Sequence, residues 1–178
     1  LSSSSAASDV YKRQIIDSIS ENRIESDIKK LVSFGTRHTL SDTLSITTGI
    51  GAARRWIKKS FKDISSNCNN CLEVFYQKNY FIKNKRRLIK DVWINNVIAI
   101  QRGLVNPNRY IIMSGDIDSR VSDPNNYTSL SPGANDNASG MAGVIEAARV
   151  LSKYKFDNSI IYVCLLYTSP SPRDVEES

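Results

Sequence analysis

The apolar positions change their spacing twice along the chain. Ile16, Ile19, Ile24, Ile28, Leu31 and Val32 recur at roughly helical intervals, which predicts a helix over 15–34 that stops at Gly35. A polar connector, TRHTLSDT, follows at 36–43. Ile46, Ile50, Ala53, Ile57, Phe61 and Ile64 then mark a second helix over 46–64, with Arg54, Arg55, Lys58 and Lys59 turned mostly to water. Beyond it the runs LEVFYQKNYFI and DVWINNVIAIQ are rich in β-branched and aromatic residues and read as two strands of an antiparallel hairpin. RYIIMSG, at 109–115, is a short apolar run of the kind buried on both faces of a sheet. A polar loop over 116–139 leads into a helix carrying Met141, Val144, Ile145, Ala148 and Leu151, and NSIIYV, at 158–163, reads as a second buried strand. Strand, loop, helix and strand make a βαβ unit, so these two strands are expected to be parallel. The predicted class is α/β: an α-β-α sandwich on a mixed, mainly parallel sheet, incomplete at its C-terminal end.

A length of 178 residues is enough for one domain with a real core. No stretch approaches the roughly 18 apolar residues of a membrane span, and the opening LSSSSAASDVYKRQ lacks the apolar run of a signal peptide. The net charge of +6 is partly local, because KNKRRLIK at 83–90 holds five cations. That run has no interleaved aromatics, so it reads as a solvated hairpin loop and nucleic acid is not an expected partner. Three cysteines are present. Cys68 and Cys71, in CNNC, lack the second pair of a zinc knuckle; a local disulfide and two inert thiols are both open. The compartment stays open with them, a secreted or periplasmic parent being one option.

Both ends differ in character from the rest. Residues 1–14 are serine-rich, and CLLYTSPSPRDVEES at 164–178 shows neither periodicity nor turn logic. The two segments resemble translated sequencing-adapter read-through; ordinary disordered tails are the alternative. The natural segment is expected to span 15–163, with Cys164 outside it.

The candidate chemistry lies where a parallel strand meets its loop. Ligands of such sheets gather outside the carboxyl ends of the strands. Asp116 and Asp118, in GDIDSR, stand there, and the loop that follows brings back Asp136 within SPGANDNASG. Carboxylates that converge repel one another, and a cation, a raised pKa or an arginine relieves them. Gly133 and Gly140 allow positive φ and close backbone approach. Asn137 or Ser139 can cap the helix that follows. From position alone, the plainer reading of Asp136 is a loop or capping acid.

SGDIDSR followed by PGANDNASGMAGVIEAARVL, with NVIAIQRG before them, resembles the zinc aminopeptidase and glutamate carboxypeptidase family, the twenty-eighth family of metallopeptidases. The resemblance implies a pair of zinc ions on the sheet rim and a peptide substrate cleaved near its free N-terminus. It implies that Asp136 bridges the two metals and that Asp118 orients a metal ligand two residues before it. Asp116 stands where that family has a histidine ligand. A carboxylate can also bind zinc, and the exchange would favour harder ions. The family's Glu-Glu pair, which supplies the general base, and its later Asp and His ligands have no counterpart after Val163. Glu176 and Glu177 are assigned no role. The chain therefore reads as an inactive piece of a metallo-aminopeptidase, expected to fold poorly with apolar faces exposed.

His38 is the only histidine and cannot make a metal site alone; Arg37 beside it is expected to be structural, and Trp56 and Trp93 to pack. Two other classes remain in view. The Asp-x-Asp at a strand end resembles magnesium-dependent phosphatases with an aspartyl nucleophile. A peptidase-like binding module without intact ligands is the non-catalytic option.

Overall fold

A computed structural model of the chain describes residues 2–83 and 88–166. The segment expected as one helix is two, α1 (Ser2–Asp17) and α2 (Glu21–Val32). Two serines cause the break. The Ser18 hydroxyl turns back to donate to the Gln14 carbonyl at 2.7 Å, ending α1. Ser20 is extended, and its Oγ accepts the Arg23 amide at 3.3 Å, which caps α2. Ile16 and Ile19, counted in the apolar stripe, are mostly exposed as a result. α1 begins at Ser2, so the serine-rich opening falls within its bounds.

The second helix, α3 (Gly49–Asn67), starts later than its periodicity predicts, and Ile46 lies exposed ahead of it. The rest of the stripe is correct: Ile50, Ala53, Ile57, Phe61 and Ile64 are all buried. After α3 the chain turns through a Cys68–Cys71 disulfide, which settles the CNNC motif as a local crosslink. Asn69 and Asn70 inside it both adopt positive φ, a conformation that asparagine tolerates well.

The four strands are β1 (Leu72–Phe81), β2 (Val92–Gln101), β3 (Asn106–Asp116) and β4 (Asn158–Leu165), with α4 (Ser139–Leu151) between the last two. They form one mixed sheet in the order β1-β2-β4-β3. β1 and β2 are the expected antiparallel hairpin; of the basic run between them, residues 84–87 lie outside the described residues. β3 and β4 pair in parallel, as the βαβ reading requires. β4 also pairs with β2, antiparallel, so one of the three described pairings is parallel. The sheet is mixed, but it is not mainly parallel among the described strands.

β4 is central and largely buried, and it continues through Cys164 and Leu165. Cys164, expected outside the natural segment, is fully buried. β3 departs from its prediction. It is the edge strand, and Tyr110, Ile111 and Ile112 are 47, 55 and 64% exposed. With β4 on one side only, just its carboxyl end is covered, where Gly115 lies against the Met141 backbone.

α3 and α4 lie on the same face of the sheet. Phe61 of α3 meets Tyr162 of β4 ring to ring at 6.4 Å, and Met141 and Ile145 of α4 join the same buried cluster. Each such side chain contributes roughly 1.5–3 kcal/mol. α2 packs outside α4, held by a buried ion network. Glu146 accepts from Arg23 Nε at 3.0 Å and from the Ser20 amide at 2.9 Å, and Arg149 reaches Asp27 at 2.6 Å. The opposite sheet face carries Ile98 paired with Val163 and Ile100 paired with Ile161. None of these four residues belongs to the cluster under α3 and α4, although Ile100 and Val163 are themselves buried.

Candidate functional site: the acid rim at the end of β3

β3 ends at Asp116, and the Ile117 amide extends its pairing by one bond to the Leu165 carbonyl at 2.8 Å. Ile117 then points into the core, while Asp116 and Asp118 on either side of it are half-buried. The loop returns through Ser131–Gly133 and brings Asp136, exposed, to the start of α4. The three acids share one electrostatic environment. Burial pushes the Asp116 carboxyl above its usual range, and the charges of Asp118 and Asp136 push it further. Asp116 thus lies within the electrostatic reach of the other two acids singled out in the sequence.

What holds them there is Arg37, whose side chain is fully buried. Its Nε donates to the Ile117 carbonyl at 2.8 Å, between Asp116 and Asp118. Its two terminal nitrogens donate to the carbonyls of Leu31 at 3.0 Å, Pro132 at 2.7 Å and Gly133 at 3.0 Å. Burial lowers its pKa to about 10, against the opposing pull of Asp118, Cys164 and Asp136. One guanidinium therefore ties the segment bearing Asp116 and Asp118 to the segment leading to Asp136. Ser119 reinforces the tie: its hydroxyl donates to the Ser131 carbonyl at 2.6 Å and accepts the Arg37 amide at 3.1 Å. Ser119 and Ser131 carry no distinguishing signal in the sequence, being common loop residues. Arg37 was legible only as structural.

The glycines act as expected. Gly133 has φ +48, and a Cβ there would lie 2.5 Å from the Asp136 carbonyl oxygen and 3.1 Å from the Arg37 guanidinium. Gly140 lies under the Asn137 side chain, whose Oδ1 accepts the Gly140 amide at 3.0 Å and so caps α4. Of the two capping candidates, Asn137 serves; Ser139 donates instead to the Asn135 carbonyl at 2.8 Å.

His38 is structural. Its Nδ1 accepts the Leu40 amide at 3.0 Å and its Nε2 meets the Pro124 carbonyl at 3.0 Å, so both ring nitrogens are engaged. Burial lowers its pKa, which keeps it neutral. No nitrogen is left to face a cation.

The zinc that the resemblance implies needs a fuller donor set than these acids provide. The rim offers carboxylates only, and among the described residues no group of three or more His, Cys, Asp or Glu side chains is close enough to hold a metal ion. The described residues do not make a complete zinc site.

Comparison with known proteins identifies the class. Residues 96–165 match peptidase family M28, a stretch that runs from β2 through β4 and contains all three acids. This match and the relatives below support membership of that family. It is 46% identical over 149 residues to a "Probable zinc metalloprotease" of Pyrenophora teres f. teres, covering 84% of this chain and 31% of the relative. A similarly named protein of Leptosphaeria maculans is 45% identical over 147 residues, covering 83% of this chain and 34% of the relative. The chain thus spans about a third of the length of these curated relatives. Among solved structures, a leucine aminopeptidase precursor from Bacteroides thetaiotaomicron matches with a TM-score of 0.63 at 19% identity, over 86% of this chain and 50% of that one. A glutaminyl cyclase from Tannerella forsythia matches with a TM-score of 0.64 at 15% identity, over 88% and 53%. At such identities these two likenesses speak for the α/β fold alone.

Proposed function

We propose that this chain is the N-terminal part of a zinc-dependent exopeptidase, and that it supplies Asp116 and Asp136 as metal ligands and Asp118 as the residue that orients Asp116. The observation that carries this reading is the placing of Asp116 and Asp118 at the end of β3 and of Asp136 just before α4, with Asp116 raised by burial and then by the other two charges. Fixed like charges of this kind are what a bound cation relieves. The reading is supported by the family match over the same residues and by the zinc metalloproteases among the relatives. The remaining ligands and the general base belong, on this reading, to sequence beyond residue 166, and residues 15–163 with a short continuation are the peptidase part. The described residues alone are inactive. The substrate is a peptide with a free N-terminus.

The test is hydrolysis of aminoacyl-nitroanilides by a protein extended to the length of the relatives. Zinc-dependent release of nitroaniline, lost in Asp136→Ala, supports the reading. Zinc-independent hydrolysis, or none in a folded and zinc-loaded protein, overturns it. A second reading has one specific observation in its favour: the incomplete donor set, with Asp116 where the family has histidine, suits a peptidase-like binding module. An extended protein that binds peptides but hydrolyses none would favour it.

A further inference from the structure

A cavity that none of the three acids lines has a different chemistry. A cavity of about 960 Å³ opens between the 34–49 segment, the start of β2 and the 127–130 loop. Its apolar lining comes from Phe34, Leu40, Leu44, Trp93, Tyr127 and Leu130. Leu44, Trp93 and Leu130 are 87, 57 and 78% exposed, so the apolar surface faces water. A space of this size suits a small organic ligand.

The wall carries two carboxylates and two cations, which differ in how they are engaged. Asp42 and Asp91 line the cavity and accept hydrogen bonds from within the protein. Asp42 Oδ1 accepts the amides of Leu44 at 2.6 Å and Ser45 at 3.0 Å. Asp91 accepts the Lys83 amide at 2.8 Å and the Tyr80 hydroxyl at 2.9 Å. The cations are not matched in the same way. Arg54 is half-buried in the wall and makes no hydrogen bond or ion pair among the described residues, whereas its neighbour Arg55 donates to the carbonyls of Thr43, Leu44 and Ser45. Lys90 has its ammonium 4.4 Å from the centre of the Tyr127 ring, with no carboxylate partner among the described residues. A guanidinium with a planar fork of donors, set in an apolar wall, is matched by a carboxylate.

We infer that this cavity binds a small organic carboxylate with an aromatic or branched apolar body, its acid group taken by Arg54 and its body by Trp93, Tyr127 and Leu130. This site is independent of the acid rim and of the exopeptidase reading. The donors of Arg54 select the occupant: a neutral apolar molecule leaves them unmet, and a carboxylate meets them in pairs.

The full chain is titrated with N-acetyl-phenylalanine and, separately, with its neutral amide, following Trp93 fluorescence and backbone amide shifts. The carboxylate is expected to bind at least about tenfold more tightly than the amide, which is the effect of one charge-assisted contact. Arg54→Met is expected to abolish that preference, and Arg54→Lys to retain part of it. Equal binding of acid and amide by the unaltered chain overturns the inference, as does no binding of either at millimolar concentration. So does a preference that survives in Arg54→Met. The acid-to-amide comparison uses unaltered protein and stands even if a variant fails to fold.

Discussion

Arg37 Nε donates to the carbonyl of Ile117 at 2.8 Å, from a guanidinium that also holds the carbonyls of Pro132 and Gly133. The contact joins two loops eighty residues apart in the chain. It places a buried positive charge behind three acids that repel one another. The acid rim is therefore built by its backbone, and the carboxylates are carried on it.

Replacing Arg37 by methionine keeps the bulk and takes the donor from four carbonyls, those of buried Leu31 and Ile117 and of the more exposed Pro132 and Gly133. Each orphan costs about 1–3 kcal/mol. We expect a total loss of at least about 3 kcal/mol, with Arg37→Lys intermediate. Hydrogen exchange reads it: the Ile117 and Ser131 amides should lose their protection ahead of those in β2.

The Glu146 network makes acid stability dependent on one group. Burial alone would raise the Glu146 carboxyl, but hydrogen bonds from Arg23, the Ser20 amide and Arg149 outweigh it and hold the pKa below 4.5. A depressed folded-state pKa contributes stability in full above the unfolded value and loses it as pH falls through the folded one. Urea midpoints should therefore be flat in this contribution above about pH 4.5 and fall below it. Glu146→Gln should be less stable near neutrality by about 2–3 kcal/mol, a figure reduced because Arg23 is partly exposed. Its midpoint should also fall less steeply on acidification.

Gly133→Ala forces a Cβ to 2.5 Å from the Asp136 carbonyl oxygen at a positive φ. The cost is expected to be about 1–3 kcal/mol, and the Asp136 segment should shift. Gly143→Ala, which meets nothing within 4 Å, is the control and should be neutral or slightly stabilising.

The sheet face carrying Ile98, Ile100, Ile161 and Val163, continued by exposed Ile112 at the edge, has no helix from the described residues upon it. The chain should bind a hydrophobic dye at this face and self-associate as its concentration rises. Ile112→Lys should reduce both. Sedimentation of the two proteins side by side checks it.

Much of this was legible in the sequence, for identifiable reasons. The stripe from Ile50 to Ile64 survives because one helix face meets one core. The βαβ unit and the three acids at its rim follow from short apolar runs flanking a polar loop. The break at Ser18–Ser20 was hidden because isoleucines on both sides continued the period, and a side-chain cap outweighed it. β3 read as buried because its composition matches that of β4; which of two similar strands lies at the edge depends on pairing across the sheet. Arg37 carried no periodic signal, since its partners are backbone carbonyls up to ninety-six residues away.

The central claim is that Asp116 and Asp136 grip a cation between them. Zinc content of the protein extended to the length of its relatives, purified beside its Asp116→Ala and Asp136→Ala variants, tests this most directly. We predict that the unaltered protein retains zinc through dialysis and that each variant loses most of it while keeping its circular dichroism. Equal zinc in all three would contradict the account.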